Sequence, residues 1–301
     1  MTVVLGQNQY GKAETRVVRI YRDTDRHEIR DLCVSTALHG DFAAAHITGD
    51  QSSVLPTDSQ KNTCFAYAKE RGVGEIEDYA LALAGHFVDD IAPVSRAHVA
   101  VDEYQWERIA VGGVPHPHAF VRAGHEVRTV AVTIDAERPV NESWVISGVR
   151  DLILLKSTGS QFTGFLRDRY TTLAEATDRI LATSLTARWR YATSDVPWGE
   201  AFVQVRQVLL EQFASVYSHA LQQTLFAMGS AVLAARDDIA EIRLSAPNRH
   251  HFLADLAPFG LDNPGEVFYA ADRPYGLIQC AVQRDDAADP GPAWDAATAF
   301  A

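Results

Sequence analysis

The chain has 301 residues, 47% of them hydrophobic, and a formal net charge of −12. That supplies apolar material for one large core or two ordinary ones, which excludes a disordered chain. The acidic balance, with no dense basic patch, excludes nucleic acid and anionic membranes as main partners, so an anionic ligand needs its own local positive charge.

In chain order, Tyr10-Gly11-Lys12 precedes a hairpin. Residues 16–22 and 28–37 read as strands joined by the polar turn Asp23-Thr24-Asp25-Arg26. At Leu55-Pro56-Thr57-Asp58 an apolar stretch stops at proline and a helix opens. Thr57-x-x-Gln60 fits a capping box, and the same corner, with unpaired backbone N–H groups at a helix start, suits an anion. That helix, residues 58–71, ends at Gly72 and Gly74. A second, residues 75–90, carries Ile76, Tyr79, Leu83 and Phe87 on one face. Strands resume at 98–108 and 126–135.

The second half repeats this order. Residues 143–156 and 183–192 read as extended. Residues 198–218 form a helix striped by Phe202, Val205, Leu209, Phe213 and Val216. A further helix at 221–235 follows, and extended segments lie at 240–245, 266–271 and 275–283. The pattern predicts an α+β fold of antiparallel sheets with helices on one face. Its domains are expected at residues 1–138 and 139–284, with a boundary near Pro139 and Asn141. Residues 285–301, rich in Ala, Asp, Pro and Gly, are expected to form a tail or arm of little core value.

Three scattered cysteines, Cys33, Cys64 and Cys280, fit reduced thiols better than a disulfide framework. The N-terminus lacks a secretory pattern, no stretch has transmembrane length, and Ala299-Phe300-Ala301 is not a peroxisomal address; a cytoplasmic protein is expected. His116 and His118, read as lying in a loop with His125 nearby, lack zincin or paired-cysteine spacing and are expected to be structural. Phosphate-loop, dinucleotide and nucleophile-elbow motifs are absent.

Taken singly, the remaining polar residues have ordinary readings. Lys12 fits a solvated surface amine; buried, it would act as a base. Phe162 fits core packing or stacking on a flat ring. Arg179 fits a surface ion pair or a bidentate anion clamp. Gln222 fits a helix start or a donor–acceptor match, while Asn248 and His250 fit a loop or the roof of a ligand site.

Taken together, several segments resemble the urate oxidases: Thr57-Asp58-Ser59-Gln60-Lys61-Asn62-Thr63, Gly113-Val114-Pro115-His116-Pro117-His118-Ala119-Phe120, Lys156-Ser157-Thr158-Gly159-Ser160-Gln161-Phe162, Arg167-Asp168-Arg169-Tyr170-Thr171-Thr172-Leu173 and Asn248-Arg249-His250. The resemblance spans Tyr10 to about Gln283. It implies two tandem tunnelling-fold domains in a ring-forming homotetramer, with active sites between subunits. It also implies oxidation of urate by O2 and water to 5-hydroxyisourate and hydrogen peroxide, without cofactor or metal. The implied catalytic residues are Lys12, Thr57 and His250. The implied substrate contacts are Thr57, Asp58, Phe162, Arg179, Leu221, Gln222 and Asn248, with backbone donors supplied near Asp58 and Leu221. Another tunnelling-fold enzyme acting on a pterin or purine, such as a cyclohydrolase, a kind that often uses zinc, and a purine-binding assembly without activity, are the competing readings.

Overall fold

The computed structural model describes residues 2–137 and 142–295, apart from the side chain of Asp272. The expected boundary residues Pro139 and Asn141 lie outside the described residues. The described residues divide into two compact units, one within 2–148, 190–199 and 288–295, the other within 149–189 and 200–287.

The first unit is built on strands β1 (Tyr10–Tyr21), β2 (Glu28–Gly40), β3 (Val94–Tyr104) and β6 (Val127–Asp135), antiparallel neighbours in that order. The start of β7 (Glu142–Lys156) lies beside β6. Helices α2 (Thr57–Glu70) and α3 (Ile76–Asp89) pack on this sheet, α2 against β1 and α3 against β3 and β6. The cause is α3's apolar stripe: Ile76, Tyr79, Leu83 and Phe87 are buried, as their helical spacing requires. One acid sits in that stripe. Glu77 is fully buried and accepts hydrogen bonds from Arg128 at 2.7 Å and Ser147 at 2.5 Å. Such pairing is what makes a buried carboxylate tolerable.

The second unit carries the rest of β7, then β8 (Leu181–Tyr191), β9 (Ile239–Leu253) and β10 (Phe268–Gln283) in that order, with β9 and β10 antiparallel. Helix α4 (Trp198–Ser215) presents Phe202, Val205, Leu209 and Phe213 to the core, and α5 (Leu221–Ala235) lies against β9 and β10. Gly229 permits the close approach of α5: a Cβ there would stand 2.6 Å from Val282 Cγ2.

Several expectations need correction. The histidine-proline run is not a loop but strand β5 (Val114–Arg122), paired in a two-stranded sheet with β4 (Trp106–Val111). Edge pairing tolerates its prolines. The extended segment expected at 98–108 is two strands, β3 and β4, broken at Gln105. A short helix α1 (Ala43–Ile47) was not foreseen. Helix α4 stops at Ser215, and Ser218 instead forms a bridge with Ser160. The segments at 266–271 and 275–283 belong to one strand, interrupted by a bulge between Ala271 and Gly276. The terminal segment has core value: Ala293 is 1% exposed and packs with Trp144 and Ile146, and the carbonyl of Ala288 accepts a bond from Arg190. Its composition hid this, because small residues and one tryptophan fill a gap without a periodic stripe. Among the described residues no helix is long and apolar enough to cross a membrane.

Candidate active site

In the first unit, the start of α2 takes a different form from a capping box. Pro56 is the N-cap and Thr57 the first helical residue, with no side-chain cap bond. Proline fixes the backbone for helix entry. Its carbonyl accepts the N–H groups of Ser59 and Gln60, leaving those of Thr57 and Asp58 outside the helix ladder. Gln60 is buried and turned inward, its Oε1 accepting from the Thr36 hydroxyl at 2.7 Å. Thr36 in turn accepts the backbone N–H of Lys12 at 3.3 Å. A register shift in β1 between Lys12 and Thr15, with Glu14 at φ 56, interrupts the ladder just past Lys12. The Asp58 carboxylate is held below its usual range by Lys61, with Asn62 donating to it at 3.1 Å. Lys12, Thr57 and Asp58 thus share one corner: Lys12 joins it through Thr36 and Gln60, and its charge reaches Asp58.

In the second unit a cavity of about 620 Å³ gathers the other residues expected at the site. Phe162, Arg179, Leu221, Gln222, Asn248 and His250 all line it. They arrive from four stretches of chain. Phe162 exchanges backbone bonds with Ala176 at 2.7 and 3.0 Å, and the N–H of Arg179 donates to Ser160 at 2.8 Å. Asp178 fixes the turn behind them by accepting from the Thr158 hydroxyl at 2.7 Å and the Gly159 N–H at 3.0 Å. So the acid next to Arg179 in sequence bonds the loop, and among the described residues no ion pair of Arg179 is formed.

Arg179 is half-buried, and among the described residues its Nε has no hydrogen-bond partner. Burial lowers its pKa. Its guanidinium carbon stands 5.1 Å from the centre of the Phe162 ring. Leu221 and Gln222 occupy the first two positions of α5, where the N–H groups are not consumed by the helix. Asn248 and His250 lie two residues apart on β9, on one face of the strand by its alternation. They are paired with Gly276 and Ala271 on either side of the β10 bulge. His250 is held below its ordinary pKa by burial and then by the charge of Arg179.

The cavity therefore offers a flat ring, a fork of cationic donors, an amide edge, exposed backbone donors and a neutral imidazole. That set fits a planar, delocalised anion with a donor–acceptor edge. Lys12, Thr57 and Asp58 are not among its lining residues. Sequence reasoning missed His251, Phe252, Ala271, Arg273, Pro274 and Ile278, which line it as well. Phe252 shares the face of Asn248 and His250 by the alternation of β9, which was its available signal; His251 and the bulge that admits Arg273 and Pro274 had none. Among the described residues no group of three His, Cys, Asp or Glu side chains is disposed to hold a metal ion.

Comparison with known proteins supplies the family. The family model described as Uricase matches residues 8–133 and 145–279. The uricase of Arthrobacter globiformis is 49% identical over 298 residues, covering 99% of this chain and 96% of that protein. The uricase of Aspergillus flavus is 36% identical over 291 residues, covering 92% and 95%. The crystal structure of the Arthrobacter globiformis protein superposes with a TM-score of 0.92 over 98% of this chain and all of its own, 100%. The matched ranges include both the α2 corner and the residues that line the cavity, and on these matches the chain belongs to the uricase family.

Proposed function

We propose that Arg179, Gln222 and Phe162 hold urate in the second unit's cavity, and that Lys12, Thr57 and His250 move its protons. The chain oxidises urate with O2 and water to 5-hydroxyisourate and hydrogen peroxide. The observation that carries the site assignment is the half-buried guanidinium of Arg179, its Nε unpartnered, beside the ring of Phe162. A desolvated, unpaired cation is costly unless an anion completes it.

The chemistry needs an electron-rich purine. Urate gives two electrons to oxygen, the oxygen of water ends on the purine carbon, and peroxide leaves with two protons. Arg179 and the free N–H groups at the starts of α2 and α5 stabilise the growing negative charge. Phe162 fixes the plane of the ring, so that one face stays open. Asn248 holds oxygen, and then water, over that face. His250, neutral because burial and Arg179 oppose its protonation, accepts a proton in concert with Lys12 and Thr57.

Because Lys12, Thr57 and Asp58 lie in the other unit's corner, we assign the completed site to two subunits. One gives the α2 corner and its neighbour the cavity, within a homotetramer of tandem tunnelling-fold domains spanning residues 1–138 and 139–284. Such sheets have edges that assembly would cover. The test is direct. Chelator-treated protein should consume urate, followed by its absorbance, with matching oxygen uptake and peroxide release. Absence of turnover in assembled protein, or restoration only by added metal, overturns the reading.

A further inference from the structure

The ring that faces the cavity is itself backed by a second ring. Phe165 lies three residues after Phe162, and the two rings are stacked, centroids 4.8 Å apart and planes 12° from parallel. Phe165 does not line the cavity, whereas Phe162 does. On its own side Phe165 carries another cation: the guanidinium carbon of Arg167 stands 4.8 Å from its ring centre. The loop thus holds two stacked rings, with the guanidinium of Arg167 near Phe165 and that of Arg179 near Phe162.

A phenylalanine side chain swings about two bonds, and a half-buried one on a loop keeps some of that freedom. The Phe162 backbone is pinned by its bridge to Ala176, but that bridge does not set the plane of the ring. The stacked ring of Phe165 does. There is a second effect. The face of a phenyl ring carries negative potential, which opposes stacking of an anion. A guanidinium behind the stack offsets part of that repulsion, although Arg167 is exposed and its influence is screened by salt.

We propose that Phe165 is a positioning residue for substrate: it fixes the plane of Phe162 and thereby the orientation of the purine, with Arg167 packed against the Phe165 ring. This rests on the assignment of Phe162 as the stacking surface, so the experiment separates the two. Binding of xanthine, a purine without the oxygen at C8, is measured by titration on assembled protein, together with urate turnover. Four variants are compared with the parent: Phe162→Leu, Phe165→Leu, Phe165→Tyr and the double variant. Phe165→Met, which loses the ring but keeps bulk, stands in if the leucine variant does not assemble.

The expected result is that Phe165→Leu weakens xanthine binding about 2- to 12-fold, the range of an aromatic pair, and lowers kcat as well as raising KM. Phe165→Tyr retains near-parental values. In the Phe162→Leu background the further loss of Phe165 costs almost nothing, because its effect passes through Phe162. Equal losses in both backgrounds overturn the positioning role, as does a Phe165→Tyr variant as impaired as Phe165→Leu. An unimpaired Phe162→Leu variant instead removes the stacking assignment, and the inference with it.

Discussion

Arg179 and His250 share one cavity, and each changes what the other can do. The guanidinium discourages protonation of the imidazole, and burial acts in the same direction, more strongly. His250 is therefore expected to titrate below the ordinary value near 6.5 for free histidine. The sign follows from linkage: the unfolded chain binds this proton more readily than the folded one, so His250 contributes a stability loss as pH falls through about 6.5. Any acid limb of urate turnover that belongs to His250 lies below that pH. Replacing Arg179 by glutamine removes the charge and should move the ring-proton titration of His250 upward, followed by NMR on assembled protein. The burial contribution remains, so the shift should stop short of the free value. No movement would mean that the two groups do not sense each other.

At the scale of elements, the site depends on how closely α5 lies on its sheet. Gly229→Ala tests this. Alanine favours helix by up to about 1 kcal/mol over glycine. Here its Cβ would meet Val282 Cγ2 at 2.6 Å and come within 3.3 Å of Ile242 Cγ2, both on stiff β-branched side chains. Overpacking of this kind costs about 1–3 kcal/mol and should win. The expected outcome is a lower Tm, with weaker substrate binding because Leu221 and Gln222 ride on the displaced helix. A higher Tm would show that α5 has room to spare. The helix itself was legible in the sequence, and the structure puts Gln222 at its start, where backbone donors are free. The Thr57 corner was legible in place but not in form: Pro56, not Thr57, caps the helix, because Gln60 is drawn inward by Thr36 and no reciprocal box can close. Strand β5 was hidden by its prolines, which local rules count against a strand although edge pairing accommodates them. The terminal segment was hidden for a different reason: Ala293, with Trp294 packed beside it, completes a core cluster with no periodic pattern around it.

For the whole molecule, the division of the expected site residues between two units makes a demand on assembly. Lys12, Thr57 and Asp58 belong to one unit, while Phe162, Arg179, Gln222, Asn248 and His250 belong to the other. If a site takes its corner from one subunit and its cavity from the neighbour, two different dead variants can rescue each other. Thr57→Ala removes the hydroxyl of the relay and should slow turnover about 100- to 10,000-fold, the usual span of a proton-transfer residue, while leaving xanthine binding nearly intact. Arg179→Ala removes the clamp, and loss of charge-assisted bonds of about 1.5–3 kcal/mol should weaken xanthine binding as well as turnover. Homogeneous assemblies of either variant then contain only damaged sites. Co-expressed with different tags and purified through both, the two variants form mixed assemblies in which some sites combine both lesions and others neither. A site is intact when the Arg179→Ala chain supplies Thr57 and the Thr57→Ala chain supplies Arg179; random mixing gives about one such site in four. Turnover of the doubly tagged material should rise well above both homogeneous variants, towards a quarter of the parent. Activity no higher than in either variant alone, in assemblies verified to contain both chains, would place each site within one subunit.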